Sequence, residues 1–73
     1  RPKPDPEVFT KAADLLGVPY ENCIVVEDAK AGVEAAHAGH MKCIGIGNPE
    51  ILGAAEKVVG STEELIRVDL DTL

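Results

Sequence analysis

Two adjacent carboxylates, Glu27 and Asp28, follow directly on the apolar run Cys23-Ile24-Val25-Val26. Such a run, β-branched at three of its four positions, reads as a parallel-sheet strand covered on both faces. Ligands of open parallel α/β sheets bind at the carboxyl ends of the strands. Two acids there suit a divalent metal, Mg²⁺ above all, a hard cation often held by one or two carboxylates with water and a substrate phosphate completing its octahedron. Without a cation the two charges repel. The competing assignment leaves Glu27 solvated and makes Asp28 the cap of the helix that follows. Lys3 is the second candidate: it stands between Pro2 and Pro4, where φ is set before folding and less backbone entropy is lost in holding a side chain at a site. Near a carboxylate pair its ammonium could neutralise a transferring phosphoryl group. Taken alone it is a solvated surface lysine, and the prolines with Arg1 weakly match an extended ligand for an aromatic groove.

The other chemistry-bearing residues point elsewhere. Gly45-Ile46-Gly47 has half of a dinucleotide fingerprint without the third glycine or the downstream acid, so it reads as a strand end. His37 and His40 lack a second ligand at metal spacing and read as exposed polar residues, neither of them a base. Cys23 and Cys43 each open an apolar stretch and are expected to be reduced core residues. Glu63, Glu64, Asp69 and Asp71 read as caps and a solvated face.

The elements that must position the acids and the lysine follow from local chemistry. Asp5-Pro6-Glu7 combines a capping carboxylate, a proline whose missing N–H is not needed, and an acid at the positive end of the dipole. It opens a helix from Pro6 to Leu16 with Val8, Phe9, Ala12, Ala13, Leu15 and Leu16 on one face; Gly17 ends it and Pro19 forbids continuation. The strand Cys23–Val26 stops at Glu27-Asp28. A second helix is expected from Lys30 to about Ala38, its alanines letting it lie close against a sheet, with Gly39 or His40 at its end. Lys42–Ile46 is a second buried strand, Asn48-Pro49-Glu50 starts a short helix to about Leu52, and Lys57–Val59 is a short third strand. Ser61-Thr62-Glu63-Glu64 forms a capping box before Leu65 and Ile66. Alternation with short connections is the pattern of a wound α/β sheet.

Composition narrows the function classes. The 73 residues carry seven Lys+Arg against thirteen Asp+Glu, a net charge of 7 − 13 = −6. Phe9 and Tyr20 are the only aromatics, which leaves no stacking platform, and the negative charge repels phosphate backbones and anionic lipid. Nucleic-acid and membrane roles are thereby disfavoured. No apolar run approaches the ~18 residues of a membrane span, and the chain is expected to be cytoplasmic. It opens on Arg rather than Met, with no strand ahead of its first helix, as the C-terminal piece of a longer polypeptide would.

The ordered motifs Lys3-Pro4-x-Pro6-x-x-Phe9, Leu16-Gly17-Val18 and Val26-Glu27-Asp28-Ala29-x-Ala31-Gly32-x-x-Ala35-Ala36 resemble the C-terminal part of the haloacid-dehalogenase-like phosphotransferases. The pair Glu-Asp in place of Gly-Asp, and the tail from Gly45 to Val59, are most similar to the β-phosphoglucomutase branch. The resemblance implies a fold class: residues 1–73 as the C-terminal portion of a Rossmann-like parallel-sheet α/β core, its N-terminal strand and helical cap absent. It also implies roles, with Lys3 contacting the transferring phosphoryl group and Glu27 and Asp28 helping to hold a catalytic Mg²⁺. The aspartate nucleophile, the acid/base aspartate, a phosphate-binding Ser or Thr and the sugar-reading cap of that family are not in this sequence. The implied partners are a small sugar phosphate and the remainder of the same polypeptide. The implied activity is phosphoryl transfer on the sugar phosphate in the complete chain, with none from these residues alone. A sugar-phosphate phosphatase on the same fold is one alternative; a receiver-like or adaptor module without catalysis is another. Ala29 stands where many relatives carry Ser. His40 stands where a helix-ending glycine is expected, and Gly39 is then expected to take the left-handed role one residue early.

Overall fold

A computed structural model describes residues 5–73 of the chain. Lys3, the proposed phosphoryl contact, lies outside the described residues. The Asp5 carboxylate accepts the N–H of Glu7 at 2.8 Å, and α1 runs Glu7–Leu16, closed by Gly17 at φ 69°. A single 3-10 turn over Tyr20–Asn22, not anticipated in the sequence, leads into β1, Ile24–Glu27. Then follow α2, Lys30–Ala38, β2, Lys42–Ile46, α3, Pro49–Leu52, β3, Lys57–Val59, and α4, Thr62–Leu65. A second 3-10 turn spans Leu70–Thr72. No helix among the described residues is long and apolar enough to cross a membrane.

The three strands form one parallel sheet in the order β1-β2-β3. Val25 pairs with Cys43 and Gly45 with Val58, so these residues share one face, and α1, α2 and α3 cover it. The core there consists of Ala13, Val33, Ala36, Met41, Cys43 and Leu52, with Phe9, Val25 and Val58 packed against it. On the other face Ile24, Val26 and Ile44 look onto Leu65, Ile66, Val68 and Leu70 of the C-terminal segment. Ile44 is fully buried, and burial of such a side chain contributes about 2 kcal/mol.

Expectations for the first strand, the first helix and the turn after α2 need correction. The strand Cys23–Val26 was expected to be covered on both faces, yet Val26 is 47% exposed. It lies on β1, which among the described residues is an outer strand paired on one side only, with Ile44 of β2 beside Val26. The apolar stripe of α1 is wider than the strip that packs: Phe9 and Ala13 reach the core, whereas Leu15 is 88% exposed and Val8 and Leu16 also face outward. After α2, Gly39 has φ −88° and His40 itself takes the left-handed conformation at φ 61°. The chain turns one residue after the helix ends, so the residue without a Cβ is not the one that needs the freedom.

The caps behave largely as read. Asn48 accepts the N–H of Glu50 at 2.9 Å. Ser61 accepts that of Glu64 at 3.3 Å, while the Glu64 carboxylate reaches one residue past the capping-box position, to Gly60 N–H at 3.1 Å.

Glu56, which nothing in the local pattern singled out, ties three segments together. Its N–H donates to Cys43 O at 3.0 Å and its Oε1 accepts the Cys43 N–H at 2.7 Å. The same oxygen is 2.8 Å from His37 Nε2 on α2. His37 is therefore partnered and only about a third exposed (34%), not the solvated residue expected from sequence. Burial alone would push the Glu56 carboxyl up; the hydrogen bonds from His37 and Cys43 outweigh it and hold the group below its ordinary 4.5. Burial, with the nearby charges of Glu56 and Glu27, pushes the Cys43 thiol up to about 11. Cys43 thus stays protonated and inert, and both cysteines are free.

Two outcomes are expected in unfolding measurements. Because Glu56 titrates lower when folded, it contributes stability above pH 4.5 that is lost as pH falls through its folded value. Glu56→Gln is expected to flatten that acid limb and to lower stability at pH 7; an unchanged acid limb would contradict the role. His40→Gly relieves a left-handed side chain and is expected to stabilise by about 1 kcal/mol, seen as a higher melting temperature.

Candidate functional site

Parallel register brings the carboxyl ends of β1 and β2 level, Glu27 opposite Gly45. Glu27 is the last residue of β1 rather than the first beyond it, and Asp28 opens the turn into α2. Both acids, with Val26 and Ile46, line an open cleft of about 330 Å³ at that end of the sheet. A larger cleft of about 490 Å³ runs along β3 between Lys57, Glu64, Arg67 and Asp69. It carries both signs of charge and lies apart from the acid pair.

The two acids are held differently. Glu27 folds back over the start of α2, its Oε1 accepting the N–H groups of Asp28 and Ala29, each at 3.2 Å. Glu27 is half-buried and Asp28 exposed. The N-cap position of α2 is Ala29, with no side-chain capping bond, so Asp28 is not the helix cap that the competing assignment required. Glu27 in turn is not simply solvated: the positive end of α2 favours its negative charge.

Two carboxylates at the strand ends, one exposed to the cleft, are the hard oxygen donors that Mg²⁺ takes. They make an incomplete ligand set, because no group of three or more His, Cys, Asp or Glu side chains able to hold a metal comes together among the described residues. Water, a substrate phosphate and groups from outside these residues would complete an octahedron. As hard oxygen donors the two carboxylates fit Mg²⁺ in kind.

His37 and His40 lie away from this cleft, the first engaged by Glu56 and the second in the exposed turn after α2. Gly45-Ile46-Gly47 closes β2 as a strand end, and its Ile46 supplies one wall of the cleft. Gly32, on the first turn of α2, is the residue near the acids that side-chain chemistry did not reveal. Its signal in the sequence is a glycine inside a helical pattern, which is disfavoured by about 1 kcal/mol against alanine.

Comparison with known proteins agrees with this fold. The family profile of haloacid dehalogenase-like hydrolases matches residues 1–40. The chloroplastic 5-amino-6-(5-phospho-D-ribitylamino)uracil phosphatase of Arabidopsis thaliana is 46% identical over 76 residues, an alignment covering 100% of this chain and 20% of that protein. The β-phosphoglucomutase of Bacillus subtilis is 38% identical over 63 residues, covering 86% of this chain and 28% of that protein. Among solved structures, a β-phosphoglucomutase from Clostridium difficile superposes with a TM-score of 0.87 at 40% identity, covering 99% of this chain and 31% of that one. The chain thus spans between a fifth and a third of the length of these relatives. A parallel sheet ending in an acid pair, a matching family profile and a closely superposing solved structure together make this chain a member of the haloacid dehalogenase-like hydrolase family.

Proposed function

We propose that residues 1–73 form the C-terminal portion of the core domain of a Mg²⁺-dependent phosphotransferase acting on a sugar phosphate, in the manner of a β-phosphoglucomutase. The observation that carries the reading is the placement of Glu27 and Asp28 at the carboxyl end of β1, in the cleft between β1 and β2. Glu27 and Asp28 are both assigned to the metal, Asp28, exposed to the cleft, as the principal ligand. Glu27 contributes charge beside it and holds the turn by its two N–H bonds. Lys3 is assigned to the phosphoryl oxygens, where a cation stabilises charge that develops in transfer. A bound Mg²⁺ supplies the remaining charge neutralisation that phosphoryl transfer depends on. The nucleophilic and acid/base aspartates, the outer strand beside β1 and the sugar-reading cap come from the remainder of the polypeptide. Free thiols at Cys23 and Cys43 support a reducing, cytoplasmic setting.

A phosphatase on the same fold is the second reading, and it is supported by the 46% identical relative, which is named as a phosphatase. The two differ in the acceptor, a sugar hydroxyl or water, and residues outside this chain choose it. Assaying the full-length protein on sugar phosphates for isomer interconversion against release of inorganic phosphate separates them.

In the full-length protein, Asp28→Ala is expected to weaken Mg²⁺ binding by at least about tenfold, the loss of one of few protein ligands, and nearly to abolish transfer. Lys3→Ala is expected to leave Mg²⁺ affinity within about twofold while lowering turnover by two or more orders of magnitude, roughly what removal of a charge-stabilising group costs. Calorimetric Mg²⁺ titration paired with turnover checks both. Parent-like Mg²⁺ binding by Asp28→Ala, or normal turnover by Lys3→Ala, would remove the corresponding role. The 73-residue chain alone, lacking a nucleophile, is expected to show no turnover; activity from it, free of contaminating enzyme, would overturn the mechanism.

A further inference from the structure

Gly32 is the third residue of α2 and is buried. A Cβ placed on it would overlap Glu27 Cγ, Cδ and Oε2. The Glu27 side chain therefore occupies the volume over the first turn of α2 that any other residue at position 32 would fill. From that berth its Oε1 reaches the N–H groups of Asp28 and Ala29, both at 3.2 Å. Glycine inside a helix is disfavoured relative to alanine, and the other buried positions of α2, Val33, Ala35 and Ala36, all carry a Cβ. The overlap with Glu27 is the packing reason for glycine at this one position.

We infer that Gly32 is a positioning residue for the acid pair: by lacking a side chain it keeps Glu27 folded against α2, and Glu27 in turn sets the backbone from which Asp28 presents its carboxylate. This rests on the reading of Glu27 and Asp28 as the metal-side acids. A methyl group at 32 displaces the Glu27 side chain from the helix. The open space beside it is the cleft that it shares with Asp28. Both N–H bonds are lost, and the turn carrying Asp28 keeps only the backbone bonds at the start of α2, from Gly32 N–H and Val33 N–H to Ala29 O.

A double-mutant cycle in the full-length protein tests this, using Gly32→Ala, Glu27→Gly and the two combined. Mg²⁺ affinity is read by calorimetry and thermal unfolding is followed without metal. Gly32→Ala is expected to weaken Mg²⁺ binding about tenfold and to lower the melting temperature when Glu27 is present, a coupling of the size seen for residues in contact. With Glu27→Gly in place, the same change is expected to alter affinity by less than about twofold and to leave or raise the melting temperature, as Gly→Ala does in an unobstructed helix. Equal losses in the two backgrounds, or no loss in the parent, would overturn the inference. Should Gly32→Ala fail to fold, recovery of a folded protein on adding Glu27→Gly supports the berth and continued failure removes it. Should the parent bind no Mg²⁺, the metal reading fails by itself. The metal-free unfolding cycle then decides the Gly32–Glu27 coupling alone: a melting-temperature loss confined to proteins with Glu27 upholds it, and any other pattern overturns it.

Discussion

Helix α2 lies close against β1 and β2 because three of its four buried residues are small, Val33 being the one large side chain it sends into the core. Gly32, Ala35 and Ala36 are all buried, and larger side chains there would lift the helix away from Val25 and Cys43 beneath it. That close approach draws the short turn at Asp28 and Ala29 tight. It also leaves the first turn of α2 within reach of the last residue of β1, where the Glu27 carboxylate meets backbone N–H groups. The acid pair, the covering of β2 and the core around Val33 and Cys43 all depend on this one contact between helix and sheet.

At its other end α2 is tied through His37 to Glu56, and through Glu56 to both backbone groups of Cys43. The carboxylate spans from the helix to the central strand just ahead of β3. An unpaired backbone N–H at this depth would cost about as much as a lost hydrogen bond, so Glu56 completes the sheet as well as bracing the helix. The two ends of α2 thus rest on carboxylates with different tasks: Glu27 borders the cleft, and Glu56 is part of the frame.

The sheet is also unequally covered. β2 is central and fully packed, with Cys43, Ile44 and Gly45 buried, whereas β1 is an outer strand with Val26 half-exposed at the lip of the cleft. An apolar groove formed by Ile24, Val26 and Ile44 with Leu65, Ile66, Val68 and Leu70 continues along that side. Apolar surface is also open away from the sheet, at Val8, Leu15 and Leu16 on α1, so the uncovered patches lie on more than one side of the described residues.

Local chemistry in the sequence determined the element order, the sites of the caps and the position of the acids. The signals for these are short-range: Asp5 and Asn48 as caps, Gly17 as a helix stop, β-branched runs as strands, and Glu27-Asp28 where an apolar run breaks. The tertiary structure decided what depends on residues distant in the chain. The apolar stripe of α1 was legible, but which part of it packs was not, because coverage is set by whatever lies opposite. His40 rather than Gly39 took the left-handed turn, since the path from α2 into β2 fixes where the chain must reverse. Glu56 and His37 stand nineteen residues apart, and no periodicity links them until the sheet brings α2 and the segment before β3 together. The different states of two neighbouring acids had the same origin: Glu27 and Asp28 are adjacent and chemically alike in the sequence, and only the packing of α2, with Gly32 making room, turns one against the helix and leaves the other facing the cleft.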